Sequence, residues 1–128
     1  MNILLDTCTF IWLTQEPVKL SRIAAGLIDD DQNSLFLSDV SLWEVTLKFT
    51  SGRFSLPTSP KDWLTEKCDF FKLSLVPVQR SAIFLTAELP DIHPDPFDRL
   101  IAAQAIENQF TILSPDRPLS LLGASRIW

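Results

Sequence analysis

Short apolar runs alternating with stretches of helical periodicity constrain this chain more than any other feature. Ile3-Leu4-Leu5, Leu35-Phe36-Leu37, Leu73 to Val78 and Phe110 to Leu113 read as four strands. A helix through Phe10, Ile11 and Trp12 follows the first. A second spans Lys19 to Ile28 and ends at the acidic turn Asp29-Asp30-Asp31. A third starts near Ser41 and stops before Gly52. Ser59-Pro60 offers an N-cap with proline at the first helical position, opening a helix through Trp63 and Phe70. Ser81 to Leu89 is helical up to Pro90, and Asp95-Pro96 opens a long alanine-rich helix. A short helix follows Pro118, and Arg126-Ile127-Trp128 is a last edge strand. Strand and helix in alternation predict βαβ units around a parallel sheet, an α/β fold of four to five strands.

The chain has 128 residues, which predicts one domain large enough to bury a core without staples. An apolar fraction of 46% and mean hydropathy of +0.15 exclude a disordered chain. No run approaches the roughly 20 apolar residues that span a bilayer. Ile3-Leu5 is cut off by Asp6, so it is not the apolar heart of a signal peptide. The two cysteines, Cys8 and Cys68, form no metal-binding spacing and are read as reduced and buried, which fits a cytoplasmic protein. The net charge of -5, from 16 acids and 11 bases, argues against broad backbone-driven nucleic-acid binding. It leaves room for a small acidic pocket that meets nucleic acid through a metal ion.

The acids fall where such a pocket forms. Asp6 follows the first strand and Asp116 follows the fourth. Glu44 lies in the first turn of the helix after the second strand, and Asp98 in the first turn of the alanine-rich helix. In an open parallel sheet, ligand sites gather outside the carboxyl ends of the strands. Each acid also has a plain structural reading. Ser41-Leu42-Trp43-Glu44 matches a capping box, and Glu44 can pair with Lys48 one turn on. Asp95 can cap the alanine-rich helix, Asp6 the first helix, and Asp116 the turn before Pro118. On a helical projection, however, Asp98 falls beside Ile101, Ala102 and Ala105, on the packed side, with no lysine or arginine there to match it. A hard divalent cation such as Mg²⁺, which takes oxygen ligands, meets that need.

Four stretches together resemble a known family: "LLDTCTFIW" (4–12), "LSDVSLWEVTLKFTSGRFSLP" (37–57), "HPDPFDRLIAAQA" (93–105) and "TILSPDRPL" (111–119). The chain is similar to the PIN-domain ribonucleases, and within them to the VapC-type toxins of prokaryotic toxin–antitoxin pairs. The resemblance implies a three-layer α/β/α sandwich around a twisted parallel sheet, with an acidic pocket for Mg²⁺ or Mn²⁺. It carries Asp6, Glu44, Asp98 and Asp116 over as the metal-binding, catalytic acids. Thr7 and Ser114 match the hydroxyl residues that support them. It also implies a homodimer and an antitoxin partner that lays a C-terminal segment across the site. Asp39, Pro94 and Pro115 depart from the family pattern. Asp39 adds negative charge near Glu44, and Pro94 stands where the family often has arginine.

The implied reaction is hydrolysis of an RNA phosphodiester by a metal-activated water, leaving a 5′-phosphate and a 3′-hydroxyl. No histidine base is required, and His93, in a proline-flanked loop, is read as structural or supporting. Lys48, Arg53, Arg99 and Arg117 are candidates to hold RNA phosphates, against ordinary charge balance on exposed faces. Trp12, Trp43, Trp63 and Phe10 are read as core or dimer interface rather than base-stacking platforms. A receiver-type phosphoacceptor would want paired acids after the first strand and a lysine after a late one, and this chain has neither. A non-catalytic module of the same shape would not need all four acids. A nuclease acting on DNA flaps would need clamping elements for which the chain has no room.

Overall fold

A computed structural model describes residues 1–128. Its five strands are β1 (Asn2–Leu5), β2 (Ser34–Ser38), β3 (Ser74–Val76), β4 (Thr111–Leu113) and β5 (Arg126–Ile127). Seven helices flank them: α1 (Thr7–Gln15), α2 (Arg22–Asp29), α3 (Asp39–Thr50), α4 (Pro60–Phe70), α5 (Arg80–Leu85), α6 (Pro96–Asn108) and α7 (Pro118–Leu121). The sheet order is β3-β2-β1-β4-β5 and every pairing is parallel. No helix is long and apolar enough to cross a membrane.

The two-residue period of the strands divides the core. Ile3, Leu5, Leu35, Leu37 and Leu113 point to one face, where Phe10 and Leu13 of α1, Ala24 of α2, Val45 of α3, and Trp63, Leu64 and Cys68 of α4 cover them. Leu4 and Ile112 point to the other, under Ile101, Ala102 and Ala105 of α6 and Leu119 of α7. Helices on both faces give the α/β/α layering that the apolar strands require.

Several boundaries move for local reasons. The helix expected from Lys19 begins at Arg22, because the Ser21 hydroxyl accepts the Ala24 N–H at 2.9 Å, while Pro17–Lys19 forms a separate 3₁₀ turn. The helix expected near Ser41 begins at Asp39, where Ser38 accepts the Val40 N–H at 3.0 Å, so the Ser41–Glu44 capping box does not form. The strand expected from Leu73 to Val78 is paired only over Ser74–Val76, since Pro77 has no N–H for the ladder. The helix expected over Ser81–Leu89 ends at Leu85 and continues as a 3₁₀ turn over Thr86–Glu88. Asp95 does cap α6, accepting the Phe97 N–H at 2.9 Å. Cys68 is buried, but Cys8 only partly so.

One buried polar side chain fixes α6 against the sheet. Gln104, 1% exposed, accepts the Ser38 hydroxyl at 2.5 Å and donates to the Pro77 carbonyl at 3.2 Å. Leucine there would leave the buried Ser38 hydroxyl with no acceptor for its proton and remove the donor to the Pro77 carbonyl. Gln104→Leu is expected to destabilise the protein by about 1–3 kcal/mol in urea titration, despite the gain in apolar surface.

Candidate functional site

The sheet order reverses at β1, which pairs with β2 on one side and β4 on the other. A crevice opens at such a switch point beyond the carboxyl ends of the two diverging strands. Asp6 is the residue after β1, and Ser114 the residue after β4. Leu5 and Leu113 are in register, and the Asp6 N–H donates to the Leu113 carbonyl at 3.3 Å.

Asp6 is 3% exposed and both carboxylate oxygens are used. Oδ1 accepts the Thr9 N–H at 2.8 Å, which caps α1, and Oδ2 accepts the Ser114 hydroxyl. Burial raises the Asp6 pKa above its ordinary value, against the hydrogen bonds from Ser114 and Thr9. The Ser114 oxygen in turn accepts the Asp116 N–H at 2.9 Å, so Ser114 links Asp6 to Asp116. Thr7 serves differently: its hydroxyl donates to Ser41 at 2.9 Å and ties α1 to α3. Thr9, absent from the expected set, braces the site by donating its hydroxyl to the Leu113 carbonyl at 2.8 Å.

Asp98 stands in the first turn of α6, where the helix N-terminus favours an anion. Burial outweighs that help. Together with the Asp95, Asp6 and Glu44 carboxylates it pushes the Asp98 carboxyl up from 3.8 to about 7, while His93 pulls the other way. Glu44 divides its two oxygens. Oε2 lies 3.6 Å from the Lys48 ammonium one turn on, and Oε1 is buried with no hydrogen-bond partner. The Cys8 thiol is pushed up to about 11, first by burial and then by Asp6, so it is protonated at neutral pH.

The tightest grouping is not the one expected. Ligand atoms of His93, Asp98 and Asp116 all lie within 4.8 Å of one another, whereas Asp6 and Glu44 stand outside that triplet. His93 Nε2 is 2.7 Å from Asp116 Oδ2 and 3.3 Å from Asp98 Oδ2. The sequence reading of His93 as structural or supporting names no partner for it, since its closeness to Asp116 comes from folding across 23 residues. The local signal was its position two residues ahead of a helix cap and five ahead of Asp98. Asp39 opens α3 and takes no part in the grouping.

Among the expected phosphate-holding residues, Arg53 and Arg117 are exposed and Lys48 half-exposed beside Glu44. Arg99 does not fit that role. Its two terminal nitrogens donate to the carbonyls of Thr86 (2.7 Å), Leu89 (3.1 Å), Pro90 (2.7 Å) and His93 (3.3 Å), which leaves a clamp on the loop before α6. Among the aromatics, Phe10 and Trp63 are core and Trp12 packs on Trp128. Trp43 is not core: it is 59% exposed and edge-on to Phe97.

The family model for the PIN domain matches residues 3–123. The chain is 29% identical over 120 residues to ribonuclease VapC22 of Mycobacterium tuberculosis, covering 92% of this chain and 89% of that protein. Its fold is similar to that in the VapBC2 complex of Rickettsia felis bound to a promoter DNA fragment, with TM-score 0.72 and 18% identity over 99% of this chain and 98% of that one. It is also similar to VapBC-1 of nontypeable Haemophilus influenzae, with TM-score 0.72 and 11% identity over 99% and 97% of the two chains. A matching domain model over nearly the whole length, a parallel sheet that reverses at β1 and acidic residues gathered at the reversal lead to one conclusion: the chain belongs to the PIN-domain family.

Proposed function

We propose that this protein is a Mg²⁺- or Mn²⁺-dependent endoribonuclease, a VapC-type toxin held in check by an antitoxin protein. The observation that carries the reading is the accumulation of uncompensated anions at the switch point. Glu44 keeps a buried oxygen without a donor, and Asp98 is crowded by burial and three carboxylates until its pKa reaches about 7. A hard divalent cation fits this set of oxygen donors and removes both penalties. Asp98 and Asp116, with Asp6 and Glu44 beside them, would hold such an ion. When bound, the ion would supply an activated water and offset charge growing on the phosphoryl and leaving oxygens.

The chain's own residues do the rest. Asp6 is held rigid by Thr9 and Ser114, so it presents a fixed charge rather than a mobile one. Lys48 stands beside Glu44, where a phosphate of the RNA backbone would meet it, and Arg53 and Arg117 extend the positive contacts outward. In-line attack on such a substrate leaves a 5′-phosphate and a 3′-hydroxyl. The likeness to VapC22 and to the VapBC complexes supports the toxin reading and the antitoxin partner; a homodimer and a cytoplasmic location belong to the same proposal. The likeness also supports a single catalytic domain over the 128 residues.

Two experiments test the reading. Oligoribonucleotide cleavage is expected with Mg²⁺ or Mn²⁺, to vanish with chelator, and to fall by at least about 100-fold in Asp6→Asn and Asp98→Asn. Full cleavage in excess chelator would falsify it.

The second experiment concerns stability without metal. A carboxyl whose pKa is raised on folding binds its proton more tightly in the native state than in the unfolded one. Its contribution to stability is therefore intact below about pH 4 and is lost as pH rises through about 7. In chelator at pH 8, Asp98→Asn is expected to be more stable than the parent, on the order of 2 kcal/mol after allowance for solvent screening. At pH 4 the gain should be absent. A variant less stable than the parent at pH 8 would assign Asp98 to helix capping alone.

A further inference from the structure

The acids account for charge at the site but not for how Asp116 is held. It lies beyond a three-residue strand, its side chain is 32% exposed, and the donor to its carboxylate is the His93 ring at 2.7 Å. The direction of that bond follows from the other ring nitrogen. The backbone N–H of Asp95 approaches His93 Nδ1 at 3.3 Å, and an amide nitrogen can only donate, so Nδ1 is the acceptor. With Nδ1 accepting, Nε2 carries the ring proton and points it at Asp116 Oδ2, with Asp98 Oδ2 at 3.3 Å as the second partner.

A nitrogen that carries this proton offers no lone pair to a metal. The ring is also largely enclosed and its backbone is held. Its side chain is 11% exposed, and Arg99 grips its carbonyl along with those of Thr86, Leu89 and Pro90. Asp95 holds both ends of the turn, through its N–H to the ring and its Oδ1 to the Phe97 N–H.

We propose that His93 is a positioning residue: its Nε2–H braces Asp116 against Asp98, so that the loop after β4 and the first turn of α6 hold one geometry before a divalent cation arrives. Arg99 is the clamp that keeps the brace in place. The inference rests on the reading that Asp98 and Asp116 hold the metal. Its physical content is the ordering of a half-exposed carboxylate in advance, which spares that cost on binding. Hydrogen-bond partners of metal-binding carboxylates are worth about 10–100-fold in affinity.

The test is Mn²⁺ binding without RNA, followed by the electron spin resonance of the free ion and by calorimetry. His93→Ala is expected to weaken Mn²⁺ binding about 10–100-fold. His93→Gln, whose amide nitrogen can still donate to Asp116, should recover most of it. Unchanged or tighter binding in His93→Ala overturns the proposal, since the ring would then be a bystander or a competitor for the cation. Equal loss in both variants overturns it in favour of direct ligation. Should neither variant fold, the wild-type protein decides. His93 is the only histidine, so ¹⁵N-labelled imidazole reports it alone. The Nε2–H form is expected to persist when Mg²⁺ is added, and loss of that proton overturns the brace. A protein that binds Mn²⁺ in this way but cleaves no RNA would sink the nuclease reading and leave the brace standing.

Discussion

The Asp6 carboxylate, sealed into the seam between β1 and β4, is the contact on which the site depends. Its backbone N–H reaches across to β4, its Oδ1 starts α1, and its Oδ2 takes the Ser114 hydroxyl that also receives the Asp116 N–H. One buried anion thus joins two strands, a helix and the loop that bears a second acid. The arrangement exists because the sheet reverses at β1. Were β4 placed beside β3 instead, Ser114 and Asp116 would end far from Asp6, and the first helix would lose its bracing through Thr9 to the Leu113 carbonyl. Capping and charge presentation, which look like rival explanations of this aspartate, are the same hydrogen bonds serving both purposes.

Much of the architecture was legible in the sequence because its causes are local. Apolar triplets such as Ile3-Leu5, buried on both faces, dictate a covered parallel sheet, and Ser59-Pro60 and Asp95-Pro96 announce helix starts that the structure realises. Where two local signals compete, the pattern misleads. Ser38 and Ser41 both precede helical residues, and Ser41 has the glutamate three positions on. Ser38 nevertheless wins, because it ends a buried strand and its hydroxyl is also held by Gln104 from α6. That decision rests on a contact across 66 residues and leaves no trace in the local pattern.

The candidate site divides in the same way. Asp6, Asp98, Asp116 and Glu44 could be placed near the crevice because their positions after strands or in first helical turns follow from element order. His93 and Arg99 could not be assigned from spacing. The histidine acquires meaning only when β4 brings Asp116 to it. The arginine, one residue from Asp98, looks like a phosphate ligand until the loop over residues 86–93 folds back and presents four carbonyl oxygens to its terminal nitrogens. A short loop that closes on itself leaves orphan carbonyls, and a planar guanidinium satisfies several of them at once.

The commitment of Arg99 bears on the electrostatics of the whole pocket. An arginine beside Asp98 is the obvious internal counter-ion, and pairing with it would hold that carboxyl low. Directed instead at backbone carbonyls, it makes no ion pair with Asp98, whose carboxyl is left raised by burial and by Asp95, Asp6 and Glu44. Lys48 is likewise 3.6 Å from one oxygen of Glu44 and leaves the other without a partner. His93 gives its hydrogen bond to Asp116. Each neighbouring cation or donor therefore stops short of neutralising the acids. On the proposed reading, this excess of negative charge is what a small divalent cation would neutralise.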